Sequence, residues 1–391
     1  MLFRSYEVCL IVDTLDLNRI STNSELEVRS AVWFETNALT FDRIVYELVA
    51  SPNYYFIWGL FDKIPGVVVL HDLFVSEALA YRFRLNLCSM ASIQTKIYQE
   101  LGYQALSNFV KVDCDFDYLR QFPMALEILQ NSLLVILASV ELRDEILKNY
   151  SKNLAKKLVI IKVNYDEAIE NAYCSLRGER IRVIQRMRTQ PADELALRVL
   201  SHHLDEQFPL DKVQHRLYLD VSSVAKNNLK TGIQRVTYNL LLELIGQSLE
   251  GYRVEPVYTE PGAQGYFFAR KFTQALLNID DVLDDSPVQF LAGDIFLGLD
   301  LCCTDIVEHS TTLEAAHAQG VKILFLVHDL LPVNKPSWFP VGVMSGFEAW
   351  LQVISRFDGA ICVSHETANQ LSQWQIQNLG QVAPYFDIHV C

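Results

Sequence analysis

The chain has 391 residues, half of them hydrophobic, which is enough for two or three domains with sizeable cores. Its 33 basic against 47 acidic residues give a net charge of −14, which excludes a sequence-independent grip on nucleic acid or on an anionic membrane surface. Eight cysteines without C-x-x-C spacing, several in apolar runs, imply a reducing, cytoplasmic location, and no apolar stretch approaches the roughly 20 residues of a membrane-spanning helix.

The first expected strands are 6–13 (YEVCLIVD), 43–48 (RIVYEL), 67–71 (VVVLH) and 133–138 (LLVILA), separated by helical patterns such as the one near 92–110. Strands alternating with helices predict parallel pairing and an α/β sheet covered on both faces. From about 141 to 214 the sequence turns charged, periodic and poor in glycine, as in VELRDEILKNYSKNLAKKL and ADELALRVLSHHLDEQF. That pattern predicts amphipathic helices at a domain edge or bridging two domains, with Pro191 in MRTQPADE marking a helix start. A domain boundary is expected near 212.

Beyond it the α/β pattern restarts. HRLYLDVSSV reads as a first strand, KTGIQRVTYNLLLELIGQ as a loop into an amphipathic helix, and YRVEPVYTE and GDIFLGLD as further strands. TLEAAHAQG reads as a helix closed by Gly320, followed by the strand VKILFLVHD, the helix GFEAWLQVISRFD, and GAICVSHETANQLSQW as strand into helix.

Two of these strands end alike, in His71-Asp72 and His328-Asp329, and each follows a helix and a glycine (Gly66, Gly320). Each is later followed by a strand, a serine and a helix, after 68 residues from His71 to Ser139 and 36 from His328 to Ser364. The approximate echo implies two diverged copies of one α/β domain in tandem, with an insertion in the first.

In an open parallel sheet, ligands bind at the carboxyl ends of the strands. His328 and Asp329 end such a strand, and histidine is the side chain best suited to exchange a proton near neutral pH, with a carboxylate to orient it or hold a sugar hydroxyl. The bland alternative, equally weighted, is a histidine satisfied by a carbonyl and an aspartate capping the next helix. His71 and Asp72 would form a secondary cleft in the first copy, and Ser364 another candidate in the second. Thr231-Gly232, opening the helix with Gln234 and Arg235, offers backbone N–H groups to an anion such as a diphosphate, although a plain loop glycine explains the same spacing. Ser364 with His365 and Glu366 resembles a hydrolytic set in composition, but no G-x-S-x-G elbow is present, and Ser364 reads as a helix cap. His202 and His203 have no partners at ligand spacing, so no metal site is expected.

Taken in order, LYLDVSSVAKNNLKTGIQRVTYNLLLELI, GYRVEPVY, GDIFLGLDL, VHDLLPVNKPSWFP and FDGAICVSHETANQL resemble the amino-terminal domain of a glycosyltransferase of the GT-B fold, in the retaining family 4 that includes bacterial mannosyltransferases. VRSAVWFE, FDRIVYELVASPNYYFIWGLFDKIPGVVVLHDLFVSEALAY and YQELGYQAL resemble the same domain in sister enzymes of polysaccharide assembly. The resemblance implies an α/β fold of tandem Rossmann-like, parallel-sheet domains of GT-B amino-terminal type: a degenerate copy at 1–150, a helical segment at 151–212, and an acceptor-side domain at 213–391. It implies transfer of a sugar, mannose being one candidate among those the sequence leaves open, from a nucleotide-sugar co-substrate to a growing glycan with retention and without an obligatory metal or other cofactor. Thr231, Gly232, Gln234 and Arg235 would face the donor phosphates, and His328 and Asp329 the reacting sugar or acceptor.

The chain departs from that pattern at Ala50 and at Tyr54-Tyr55, where relatives carry a glycine-asparagine turn and a histidine. The first copy begins at what would be its second strand, and PYFDIHVC falls where relatives cross into the donor domain, so truncation at both ends is expected. The partners expected are a nucleotide-sugar donor and a glycan acceptor, with no nucleic acid and no membrane span; peripheral membrane association and oligomeric state stay open. The competing expectation is a non-catalytic module of degenerate domains that binds a glycan or a partner enzyme.

Overall fold

The computed structural model describes residues 7–13, 26–61, 63–150, 152–160, 165–175, 178, 179, 183, 214–226, 231–247, 249 and 251–391. The chain divides into two compact units, Met1–Glu100 with Lys111–Val213, and Leu101–Val110 with Gln214–Cys391.

The first unit is built on four parallel strands in the order β3-β4-β5-β6, where β3 is Val45–Leu48, β4 Val67–Leu70, β5 Val135–Leu137 and β6 Leu158–Ile160. A separate parallel pair joins β1 (Cys9–Val12) and β2 (Glu27–Ser30). Strands covered on both faces read as continuous apolar runs, and the four residues of β4 are Val, Val, Val and Leu. Val68, Leu70, Val135 and Leu137 pack with Trp58, Phe61 and Leu129 on one face, while Val67 and Ile136 pack with Ile169 and Tyr173 on the other. Removing each of these large side chains from water contributes about 1.5–3 kcal/mol.

The expected helix near 92–110 is Met90–Lys111, but it breaks at Gly102, whose φ of 80° and ψ of −171° are not helical. Leu101–Val110 beyond the break belongs to the second unit. The segment 151–212, expected to be a helical link, instead supplies β6 and the helix Tyr165–Cys174, whose Ile169 and Tyr173 fill the core of the first unit. Pairing with β5 decides the conformation of the short run Leu158-Val159-Ile160, against the helical bias of the charged residues around it. Pro191, His202, His203 and most of 176–213 lie outside the described residues.

The second unit holds a seven-stranded sheet in the order β13-β12-β11-β10-β7-β8-β9. The strands are β7 His215–Asp220, β8 Tyr252–Tyr258, β9 Phe267–Phe268, β10 Ile295–Gly298, β11 Lys322–Val327, β12 Gly359–Cys362 and β13 Asp387–Val390. All pairs are parallel except the short edge pair of β8 with β9. The core is aromatic: Tyr218 meets Phe290 edge-on at 5.0 Å, Tyr266 meets Phe296 at 5.2 Å, and Phe325 and Trp350 are fully buried beside them. At Gly298 an added Cβ would lie 2.4 Å from the Phe325 ring, so only glycine admits that ring against β10. Gly320 closes the helix Ser310–Ala318 as expected, with φ of +93° and its N–H donating to the His317 carbonyl at 2.9 Å.

The chain is therefore α/β with parallel sheets, as the sequence predicts. The order β3-β4-β5-β6 in the first unit repeats, strand for strand, the order β10-β11-β12-β13 in the second.

Candidate functional site

In the second unit the chain runs from β7 to β8 on one side and from β10 outward on the other, so the strand order reverses between β7 and β10. Such a reversal parts the loops at the carboxyl ends of the strands and leaves a crevice there. The side chains at that edge are Asp220 at the end of β7, Asp300 after β10, His328 and Asp329 after β11, and Ser364 after β12.

His328 is half-buried, and among the described residues its Nε2 has no hydrogen-bond partner. Burial pushes its imidazole below the ordinary value, opposed by the adjacent Asp329 carboxylate. The ring is therefore neutral at neutral pH and able to accept a proton or a hydrogen bond. Its backbone carbonyl accepts from the Thr367 hydroxyl at 3.2 Å. Asp329 Oδ1 accepts the Leu331 N–H at 2.9 Å, closing a turn just ahead of the short helix Leu331–Asn334, whose cap position is Leu330 and has no side-chain cap bond. Ser364 does act as a cap, its Oγ accepting the Thr367 N–H at 3.1 Å at the start of the helix His365–Leu379.

The helix Gly232–Gly246 starts with Thr231 as its cap, whose Oγ1 accepts the Gln234 N–H at 3.2 Å. Gly232 and Arg235 are exposed, and an added Cβ on Gly232 would meet nothing within 4 Å, so this helix start is open to solvent. Gln234 differs from the sequence expectation: it is 3% exposed and belongs to the interior, because the helix turns positions 234, 237 and 241 toward the core.

In the first unit the matching edge is arranged otherwise. His71 and Asp72 are exposed, and His71 Nε2 lies 2.9 Å from Glu47 Oε1 on the neighbouring β3. Ser139 caps the helix Val140–Asn149 through the Leu142 N–H at 3.2 Å, the counterpart of Ser364 and Thr367.

The sequence reading missed a buried carboxylate network at the strand reversal. Asp220 Oδ1 accepts from the Ser222 N–H at 3.0 Å and hydroxyl at 2.6 Å, and the Cys302 thiol donates to Oδ2 at 3.3 Å. The Ser222 hydroxyl oxygen in turn accepts the Thr259 N–H at 3.0 Å, and Asp300 Oδ2 accepts the Val224 N–H at 2.7 Å. Burial pushes the Asp220 carboxyl up to about 6, and Asp300 is raised for the same reason; the Cys302 thiol is held un-ionised by burial and by Asp220. The signal was present: LYLD and FLGLD are apolar runs ending in aspartate, as the two His-Asp strands end in histidine.

Among the described residues no group of His, Cys, Asp and Glu side chains could hold a metal ion, and no helix is long and apolar enough to cross a membrane. All eight cysteines are free thiols.

No family model matches the chain. Over 170 residues, 43% of its length, it is 34% identical to a serotype-specific mannosyltransferase, WbdA, of Escherichia coli, and 33% identical to two further proteins of that name and organism. The match covers about a fifth of the length of each of these relatives. The chain thus resembles glycosyltransferases of the polysaccharide-biosynthesis type, as its motifs lead one to expect.

Proposed function

We propose that the second unit, whose Gln214–Cys391 lies within the domain expected at 213–391, is the acceptor-side, GT-B amino-terminal domain of a retaining glycosyltransferase of cell-surface polysaccharide biosynthesis. The enzyme moves a sugar, with mannose favoured by the relatives' name, from a nucleotide-sugar donor to a growing glycan. It works in the cytoplasm, a location with which eight free thiols agree. The acceptor hydroxyl oxygen forms the new glycosidic bond as the bond from the sugar to the diphosphate breaks, and the hydroxyl proton passes to the departing diphosphate. His328 accepts a hydrogen bond from the reacting sugar or acceptor, Asp329 orients the turn beneath it, and Thr231, Gly232 and Arg235 face the diphosphate.

The observation that carries this reading is His328 itself: a half-buried neutral imidazole at the carboxyl end of a central strand, with an unpartnered Nε2. Polar atoms in such settings normally have partners, and one left without is free to meet a ligand. The test is transfer from nucleotide-diphosphate mannose to a mannan primer by the full-length protein with His328 intact or replaced by alanine. A loss of about 100-fold supports the role; an unchanged rate removes it.

A second reading concerns the first unit, which contains most of the degenerate copy expected at 1–150. His71 there is exposed and engaged by Glu47, which favours a degenerate copy that binds a glycan or a partner enzyme without catalysis. Titration of the chain with mannan fragments, with and without His71→Ala, distinguishes it from an idle remnant.

A further inference from the structure

In the strand-serine-helix unit that follows each His-Asp strand, the residue three beyond the capping serine differs in kind between the two units. Ser364 and Ser139 both accept the N–H of the third residue onward, which aligns Thr367 with Leu142. Thr367 is 6% exposed, its hydroxyl lies 3.0 Å from the Ser364 hydroxyl, and it donates to the His328 carbonyl at 3.2 Å. The turn it grips is held at a second point, where Asn334 donates to the Gln370 side chain of the same helix at 2.9 Å. In the first unit Leu142 has no hydroxyl to give, and it packs as an apolar residue against the core.

We propose that Thr367 is a positioning residue: its hydroxyl fixes the backbone of His328 and thereby the half-buried pose of that ring, and the first unit, with leucine in its place, lacks the clamp. A carbonyl held from the neighbouring helix restricts rotation about the residue that bears the imidazole, so the ring stays at the strand edge instead of turning into water. His71, without this restraint, lies exposed against Glu47. The inference rests on the assignment of His328 to the reacting centre only for its catalytic consequence; the clamp itself is a property of the fold.

The experiment measures hydrogen–deuterium exchange at the C2 position of each histidine ring by mass spectrometry, in the intact chain and in Thr367→Val and Thr367→Ser. Loss of one neutral hydrogen bond shifts a local opening equilibrium by about fivefold. His328 is therefore expected to exchange about fivefold faster in Thr367→Val, close to the parent rate in Thr367→Ser, with the remaining histidines unchanged. An unchanged His328 rate in folded Thr367→Val overturns the proposal, as does a serine variant that behaves like valine. If the valine form does not fold, Thr367→Ala replaces it, and loss of folding in both makes the residue structural and overturns the positioning role. In the transfer assay the same variants should lower kcat with little change in KM. Faster exchange in Thr367→Val combined with full transfer activity in His328→Ala would keep the clamp and discard the catalytic reading.

Discussion

The Tyr173 hydroxyl donates to the Ile44 carbonyl at 2.9 Å, which also accepts the Val67 N–H, and accepts the Ile44 N–H at 2.8 Å, so one phenol ties both backbone groups of a residue 129 positions earlier. Burial pushes that phenol up to about 12, which keeps it protonated and able to donate. Arg43 adds a pair to Glu170 at 2.7 Å and lies 4.9 Å from the Tyr173 ring centroid. Tyr173→Phe leaves the Ile44 N–H without this partner, while the Ile44 carbonyl keeps the Val67 N–H, and should destabilise the first unit by about 1–3 kcal/mol in urea unfolding. A change below about 0.3 kcal/mol would show that the two bonds of this hydroxyl add nothing to the stability of the first unit.

His328 carries a pH dependence with a defined sign. Its folded pKa is depressed by burial, so the folded state binds fewer protons than the unfolded one below the ordinary value of 6.5. Its contribution to stability is present above that value and is lost as pH falls through it. His328→Gln should flatten the fall in melting temperature measured between about pH 7 and pH 5. An equal slope in parent and variant would mean that the ring is freely solvated.

Asp220 acts in the opposite direction. Its carboxyl rises from 3.8 to about 6, so it contributes stability that is full below the lower value and is lost as pH rises through the upper one. Asp220→Asn removes that titration. As pH falls from about 7 to 4, the parent should gain on the variant by up to about 3 kcal/mol. Parallel stability curves would refute the raised carboxyl. Asp220→Ala, which strips the bonds to Ser222 and Cys302, should cost about 2–4 kcal/mol at neutral pH.

The approach of Phe325 to Gly298 gives a packing prediction. A methyl group there would overlap a ring that is 1% exposed and held on all sides by the aromatic core. Gly298→Ala should destabilise the second unit by about 1–3 kcal/mol, read by denaturant midpoint, and Phe325→Leu in the same chain should recover part of the loss. A tolerated alanine with no compensating change would mean that the ring can move aside.

The sheets were legible in the sequence because parallel strands buried on both faces write themselves as unbroken apolar runs. VVVL and KILFLV needed no further context. Helix ends were legible where one residue supplies the chemistry, as Ser364 and Gly320 do. The strand Leu158–Ile160 was hidden because its conformation is set by β5 rather than by its own neighbours. Non-local pairing also hid the bond from His71 to Glu47, and the turn of the helix hid the burial of Gln234. The Asp220 and Asp300 network escaped because only the strand reversal brings the ends of β7 and β10 side by side.

The shared order of four strands bears on where the two units differ. Between β4 and β5 the first copy threads the helices Ser76–Arg84, Met90–Lys111 and Leu126–Asn131, while β11 and β12 are joined by a shorter passage built on Val343–Ile354. A crossover of any length leaves one strand at its carboxyl end and re-enters the next at its amino end, so added chain alters no neighbour in the sheet. The ladder of strands is thus the fixed grammar of this protein, and the loops above it are where new vocabulary can be admitted.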